Sequence, residues 1–410
     1  MTFRAVADFP LAGQVYAEGW QTWSEVGVYR PGQTSPRPQT AREQVVMFRP
    51  DKPVPEGVIQ AEGVLAVVAP DGAARAWFAP DPAREVATLR LRERHDRWEL
   101  SSDGPLEEVE GPSLVRVLES VGDKLRIDAV RSVAPGWSTW SCYFKHVSEK
   151  DVIENIGAAR RLGLPIEIVQ LDDGYEAEIG DWLEVRPEFG SVQRLGNRIR
   201  DGGMEAGIWI PPFMVSPTST LAKAHPEWLV PDLSAGEHWG QEMRVLDVTQ
   251  PGALEHVRHV FQTFLGWGYT FFKLDFLYAA ALPGVDRYRQ GMQLIRDVVG
   301  PDSTLLIGGA PLLPSIGLCD AMRVGPDVLP EEPNPQLDLA KTVRITTLRS
   351  WMNGRLWQND PDCIVARPEI EDREAWAAHL RSYGGVRFSS DRLAALDARG
   401  LDLTRRFLTG

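Results

Sequence analysis

The chain has 410 residues, 43% of them hydrophobic and 25% charged, as expected of a globular protein with one large domain and a smaller one. The 57 acidic residues outnumber the 44 basic ones, and a net charge of −13 makes nucleic acid and membranes unexpected partners. The three cysteines are far apart, which argues against a disulfide framework, and with no recognisable leader or membrane-spanning run a cytoplasmic location is predicted.

The first predicted domain, residues 1–128, is rich in short stretches that alternate apolar and polar residues. In residues 86–102 (VATLRLRERHDRWELSS) leucines alternate with arginines, and residues 124–130 (KLRIDAV) show the same period. This is the pattern of half-buried antiparallel strands. An all-β, sandwich-like domain is therefore predicted.

From residue 129 to 385 short apolar strands alternate with amphipathic helices, as in parallel βαβ units. Eight such strands in roughly 250 residues predict a (β/α)8 barrel. Residues 386–410 are expected to be a short segment that covers the barrel, with no full C-terminal β-domain. The predicted strands lie in RSVAPGWSTW (131–140), PIEIVQLDDGY (165–175), MEAGIWIPPF (204–213), EMRVLDVTQ (242–250), YTFFKLDFLY (269–278), STLLIGGAP (303–311), CDAMRVGPDV (319–328) and GRLWQNDPDC (354–363).

Three helices between these strands have clear end signals. Ser148 is the predicted N-cap of the first, PGALEHVRHVFQTFLGWG (251–268) begins with proline and ends with glycine, and DRYRQGMQLIRDVVG (286–300) also stops at glycine.

Polar and aromatic residues follow the predicted strands, at the end of a barrel where active sites lie. Aspartates dominate among them. The seven histidines have no metal-binding spacing, a GxSxG elbow is absent, and the glycine-rich segment at 308–317 carries no nucleotide-binding motif. Neither a metal nor an organic cofactor is expected.

Asp275 is the first candidate for chemistry. In an extended strand Lys273 and Asp275 point the same way, so an otherwise apolar run holds two opposite charges in one environment. A nearby cation lowers a carboxylate's pKa, as a nucleophile requires. The alternative is a structural ion pair.

Asp327 is the second candidate, because Gly325 and Pro326 end the preceding strand and place its carboxyl in a loop. Apolar surroundings there would raise its pKa toward that of a general acid. The alternative is an aspartate that only forms a turn. Paired carboxylates with aromatic walls are what glycoside hydrolysis needs.

Ten segments, in order, resemble the α-galactosidases of glycoside hydrolase family 36. They are GWSTWSCYF, QLDDGY, GDW, GIWIPPFMVSPTS, HPEWLV, LDVTQP, FFKLDFLYAAALPG, PLLPSIG, MRVGPD and NDPDC, and GWQTWS (19–24) resembles the aromatic element of the family's N-terminal domain. The resemblance implies that Asp275 is the nucleophile and Asp327 the acid/base. It also implies substrate-binding roles for Asp172, Asp173, Trp209, Lys273 and Arg323, with Trp137 and Trp23 as aromatic wall residues.

Some of these residues have alternative roles. Trp209 either stacks on a sugar or fills the barrel, and Arg323 either binds a hydroxyl or orients a carboxylate. Asp360 and Asp362, in NDPD, are expected to be structural.

The resemblance implies a retaining exo-α-galactosidase that acts on melibiose- or raffinose-type oligosaccharides by double displacement, with carboxyl groups about 5–5.5 Å apart. Galactosyl transfer and cleavage of α-N-acetylgalactosamine are alternatives within the same family. A sugar-binding protein without turnover is the alternative from another class. The oligomeric state is left open.

Overall fold

A computed structural model of the protein describes residues 2–6, 9–11, 13–187, 189–329 and 337–410. Two antiparallel sheets lie in the N-terminal part, and the rest contains an eight-stranded parallel sheet with surrounding helices and a small three-stranded antiparallel sheet. The predicted combination of an antiparallel β-domain and a (β/α)8 barrel is confirmed.

The two N-terminal sheets have the strand orders β1-β8-β7-β4 and β3-β2-β5-β6-β9. Their facing side chains form a core of their own, in which Leu89 and Leu91 are buried as their alternation predicts. The elements are β1 (Arg4–Ala5), β2 (Gln14–Ala17), β3 (Gly27–Tyr29), α1 (Ala41–Met47), β4 (Ile59–Glu62), β5 (Val64–Val68), β6 (Ala74–Phe78), β7 (Thr88–Arg94), β8 (Arg97–Ser102), β9 (Glu107–Gly111) and α2 (Leu114–Leu125).

The predicted strand at residues 124–130 is wrong, because its first residues end helix α2. Ser113 caps this helix by accepting a hydrogen bond from the Arg116 N–H, and Val117, Val121 and Leu125 are buried at helical spacing. The helical spacing of buried residues before position 125 therefore determines the structure of this segment, and the short alternation of apolar and polar residues does not.

The second part of the chain follows the rhythm predicted for a barrel. Its elements are β10 (Gly136–Ser138), α3 (Trp140–Tyr143), α4 (Glu149–Leu162), β11 (Ile168–Leu171), α5 (Val192–Asp201), β12 (Glu205–Ile210), β13 (Met214–Val215), α6 (Thr220–Ala224), β14 (Leu229–His238), β15 (Gln241–Leu246), α7 (Pro251–Gly266), β16 (Tyr269–Leu274), α8 (Tyr278–Ala281), α9 (Val285–Val299), β17 (Thr304–Ile307), β18 (Ala321–Arg323), α10 (Leu339–Leu348), β19 (Gln358–Asp360), α11 (Arg373–Tyr383), β20 (Phe388–Ser389) and α12 (Ala398–Thr409).

The parallel strands follow one another in chain order, from β10 through β11, β12, β16, β17 and β18 to β19, while β20 pairs with β10. The ring is joined where the N–H groups of Gly385 and Val386 donate to the carbonyl of Asn359 in β19. Strand β11 is buried along its whole length, as expected of a strand covered on both faces.

Two of the predicted strand assignments need correction. EMRVLDVTQ forms β15, which pairs with β13 and β14 in a separate antiparallel sheet rather than in the barrel. The eighth barrel strand is instead β20, within the segment 386–410 that the sequence assigned to a cover. A strand of two residues is too short to show a period, whereas the alternation in β15 fits either kind of sheet.

The predicted helix ends are confirmed at all three helices. Ser148 and Asp151 form a capping box at the start of α4, which ends at Gly163 in the left-handed region, with φ 61°. Helix α7 begins at Pro251, and Gly300 follows the last residue of α9. Within the described ranges, no helix is both long and apolar enough to cross a bilayer.

Candidate active site

A cavity of about 710 Å³ opens at the carboxyl ends of the barrel strands. The barrel forms its floor, the N-terminal domain contributes one wall and the β14–β15 hairpin another. The lining residues are Trp23, Arg42, Val46, Trp140, Lys145, Asp172, Asp173, Trp209, Glu237, His238, Trp239, Gly240, Lys273, Asp275, Phe276, Pro326 and Asp327.

Lys273 is the buried cation at the floor of this cavity. Its Nζ donates to Oδ2 of Asp172 at 2.7 Å, and both side chains are almost completely buried. Burial alone would lower the lysine's pKa, but the charges of Asp172 and Asp275 raise it overall. Lys273 therefore stays charged throughout the neutral range.

Asp275 follows the last residue of β16, and its two carboxylate oxygens have different donors. Oδ2 accepts from the indole Nε1 of Trp209 at 3.1 Å, and Oδ1 accepts from the Phe276 N–H at 2.9 Å. Burial raises the pKa of Asp275; Lys273 lowers it in part, and Asp327 raises it further. Lys273 lowers the pKa of Asp275, as the sequence predicted, but the net pKa of Asp275 is raised because burial has the larger effect.

Asp327 lies at the mouth of the cavity, with 44% of its side chain exposed. Nη2 of Arg323 lies 3.0 Å from its Oδ1, and the indole Nε1 of Trp140 donates to its Oδ2 at 3.2 Å. The surroundings of this carboxyl are thus open and charged rather than apolar as the sequence suggested. The sequence left two roles open for Arg323, binding a sugar hydroxyl or orienting a carboxylate. Its contacts with carboxylates favour the second role.

A buried cluster of carboxylates holds Arg323 behind the cavity wall. Its guanidinium lies 3.1 Å from Asp362 and 3.8 Å from Asp360. Burial raises the pKa of Asp360 to about 6 and also raises that of Asp362, while Arg323 opposes both shifts. Asp360 and Asp362, expected to be structural, do not line the cavity and contact Arg323, which in turn contacts Asp327.

Asp173 sits beside Asp172 and contacts the β14–β15 hairpin. Trp239, at the hairpin tip, donates from Nε1 to Oδ2 of Asp173 at 2.9 Å. Below Asp173, the buried Glu176 accepts the N–H groups of Gly174 and Tyr175, and burial together with the charge of Asp173 raises its pKa well above the usual range.

Trp23 is the part of the N-terminal domain that reaches the cavity. Its ring packs edge-on against Phe276 at 5.2 Å. Gly309, with φ 54°, lies directly beneath, and a Cβ there would come within 2.8 Å of Trp23 and 2.9 Å of the Phe276 backbone. This close approach explains why position 309 is a glycine.

The cavity brings together most of the residues that the sequence singled out. Arg323 lies behind the wall, in contact with Asp327. Trp137 does not line the cavity: it is 1% exposed, and its indole donates to the carbonyl of Asp391. It lies within strand β10 and packs inside the fold, whereas Trp140 follows the strand and reaches the cavity.

Sequence reasoning missed several cavity residues. Trp140 had a signal, since it is the second tryptophan of GWSTW. Trp239 had none, because the hairpin that carries it was not predicted, and Arg42 comes from a helix in a domain predicted to be all-β.

The chain is similar in sequence and in fold to known proteins. The Melibiase family matches residues 135–277. The α-galactosidase AgaA of Geobacillus stearothermophilus is 29% identical over 130 residues, and an Escherichia coli α-galactosidase is 30% identical over 138 residues. These alignments cover 29% and 32% of this chain but only 17% and 19% of the two relatives.

Solved structures match over a much longer stretch. TtGalA, an α-galactosidase from Thermus thermophilus solved with p-nitrophenyl α-D-galactopyranoside, has a TM-score of 0.82 and 28% identity, covering 100% of this chain and 87% of that one. The GH36 enzyme AgaA has a TM-score of 0.68 at 16% identity, covers 98% of this chain and 61% of that one, and shows the shared fold.

A (β/α)8 barrel with a carboxylate-lined cavity at its carboxyl end, together with these relatives, defines a glycoside hydrolase. The chain is similar to the α-galactosidases of glycoside hydrolase family 36, the family that its motifs resemble.

Proposed function

We propose that the protein is a retaining exo-α-galactosidase, with Asp275 as nucleophile and Asp327 as acid/base. The observation that carries this proposal is the placement of two carboxylates in one cavity with opposite surroundings. Asp275 is half-buried and lies between an indole donor and a backbone donor, whereas Asp327 lies at the open mouth. A nucleophile held by fixed donors and an acid that reaches solvent suit a double displacement by two carboxyl groups.

In the first step, a carboxylate oxygen of Asp275 forms a bond to the anomeric carbon of the sugar. The bond from that carbon to the leaving oxygen breaks, and the proton of Asp327 passes to the oxygen. In the second step water attacks the galactosyl-enzyme, Asp327 takes the water's proton, and the bond to Asp275 breaks. Galactose leaves with its anomeric configuration retained.

Asp172 and Asp173 support recognition of the sugar. Lys273 pairs with Oδ2 of Asp172, and Oδ1 of Asp172 accepts the N–H of Asp173. The Trp239 indole orients the Asp173 carboxylate. Carboxylates accept hydroxyl hydrogens strongly, and the loss of one such donor leaves buried acceptors unpaired, which is how a site rejects an epimer.

The leaving group is proposed to be another sugar, as in melibiose- or raffinose-type oligosaccharides. The cavity, of about 710 Å³, lies within the range of about 300–1,000 Å³ typical of ligand pockets. Arg42 and Glu237 contribute exposed polar groups to its lining, which suit hydrogen bonds to a further sugar. TtGalA has also been solved with stachyose, an oligosaccharide ligand of this kind.

The test is release of nitrophenol from p-nitrophenyl α-galactoside, with the α-glucoside and Asp275→Ala run in parallel. We expect turnover of the galactoside alone, and its loss in the variant. Proton NMR of the first product should show α-galactose, since an inverting enzyme would release the β anomer.

Two results would contradict the proposal. Preferential turnover of the α-N-acetylgalactosaminide would assign a different sugar. Binding of galactose without turnover of any α-glycoside, even with an added sugar acceptor, would indicate a binding protein. Location in the cytoplasm stays a prediction from the sequence.

A further inference from the structure

Arg349 is a fully buried arginine at the junction of the two domains, outside the cavity and directly after helix α10. We propose that Arg349 is a positioning residue that sets the geometry of the active site by holding the Trp23 loop against the chain segment that leads to Asp327. This inference rests on the proposed function.

The charge of Arg349 is matched by a buried carboxylate of the N-terminal domain. Its Nε and Nη2 lie 3.0 Å and 2.9 Å from Oε1 of Glu18, and neither side chain is exposed. The other oxygen of Glu18 accepts from the Tyr16 hydroxyl at 2.6 Å. An arginine buried this deeply is retained only with such a partner.

The remaining donors of the guanidinium bind backbone carbonyls on both sides of the domain junction. Nη1 donates to Thr22 at 2.7 Å and to Val324 at 3.0 Å, while Nη2 donates to Ser24 at 3.0 Å. Thr22 and Ser24 flank Trp23, and Val324 directly follows Arg323.

One rigid group therefore spans two walls of the cavity. Trp23 packs against Phe276 in one wall. Arg323 contacts Asp327 in the other wall. A guanidinium offers five donors in a fixed plane, and a lysine ammonium cannot reproduce that geometry. Misplacement of a catalytic group by an ångström can cost about a hundredfold in rate.

The experiment compares Arg349→Lys with wild type on two galactosides. Methyl α-galactoside has a poor leaving group that needs the proton of Asp327, whereas p-nitrophenyl α-galactoside does not. We expect kcat on the methyl glycoside to fall about ten- to a hundredfold and kcat on the nitrophenyl glycoside by less than about threefold. A double-mutant cycle with Trp23→Ala should show non-additive effects on KM.

Arg344→Lys is the matched control. Arg344 also joins the domains, through Glu25 at 2.6 Å and the Val26 carbonyl at 2.8 Å, but it lies at the surface. Its substitution should leave both kcat values unchanged. If Arg349→Lys does not fold, Glu18→Gln, which keeps an acceptor for the guanidinium, is measured in the same way.

Equal losses on the two glycosides, or additive effects with Trp23→Ala, would overturn the positioning role and leave only a structural one. An inactive wild-type enzyme would overturn the proposed function together with this inference. An active wild type with unchanged Arg349→Lys kinetics would overturn the inference alone.

Discussion

Lys273 donates to Oδ2 of Asp172 at 2.7 Å across 101 residues of sequence, while Asp275, two residues away on the same strand face, is held by the Trp209 indole. The lysine therefore pairs with the carboxylate proposed to bind the sugar, and it acts on the proposed nucleophile only through its charge. The buried charges in FFKLDFLY are stable because three strands, β11, β12 and β16, bring their partners together.

Lys273→Met should destabilise the protein by about 3 kcal/mol, because removing one member of a buried ion pair leaves the other charge unpaired. kcat/KM on p-nitrophenyl α-galactoside should fall by at least about 30-fold. Thermal unfolding and steady-state kinetics check this. Lys341→Met is the control, since Lys341 pairs with Glu25 at a partly exposed site and should change stability by less than about 1 kcal/mol.

The acid side of the pH profile of kcat/KM should lie above the range of an ordinary aspartate, because burial raises the pKa of Asp275 and the nucleophile must be ionised. Lys273 lowers this pKa, so Lys273→Met should move the acid side to still higher pH. The same raised pKa means that stability contributed by protonated Asp275 is lost as pH rises through the folded-state value. An acid side that does not move in Lys273→Met would contradict this account.

Trp209→Phe removes the indole donor to Asp275 while keeping an aromatic ring. Since hydrogen bonds to charged groups contribute about 1.5–3 kcal/mol, kcat/KM should fall at least about tenfold. Trp137→Phe is the matched control, because its indole binds the Asp391 carbonyl away from the cavity. It should lower the melting temperature and leave KM unchanged, and a comparable kinetic loss in both variants would refute the distinction.

Gly309→Ala should reduce activity by pushing Trp23 and Phe276 apart, because its Cβ would lie within 3 Å of both. Gly317→Ala separates this effect from backbone strain. Gly317 also has a positive φ, 81°, but open space where a Cβ would lie. Gly317→Ala should lose about 1 kcal/mol of stability from backbone strain alone, Gly309→Ala should lose more because of the added clash, and only Gly309→Ala should lose activity. Equal activities would contradict a role for the contact.

Trp239→Phe should raise KM for p-nitrophenyl α-galactoside about three- to tenfold with a smaller change in kcat, because it loses the neutral donor that orients Asp173. Trp228→Phe is the control for destabilisation of the hairpin without loss of a contact to Asp173. Trp228 stacks on His225 at the base of the hairpin, where their ring centres are 3.7 Å apart. A kcat effect alone in Trp239→Phe would count against a binding role.

Local patterns of the sequence were sufficient for the barrel fold with seven of its eight strands, for the helix caps and for the aspartates of the cavity. Residues directly after a parallel strand meet at one edge, so the positions of Asp172 and Asp275 follow from strand ends alone, and Asp327 lies in the loop after β18. Alternation in a strand likewise put Lys273 and Asp275 on one face.

Tertiary structure decided which groups are partners and which short segments close the fold. Lys273 and Asp172 meet only because β11 and β16 both flank β12. The short strand β20 forms because its two residues pair with the edge of β10. Trp137 and Trp140 differ by three positions in sequence, and only the end of β10 decides that the first is buried and the second lines the cavity. Such pairings depend on packing over long separations, which local periodicity does not encode.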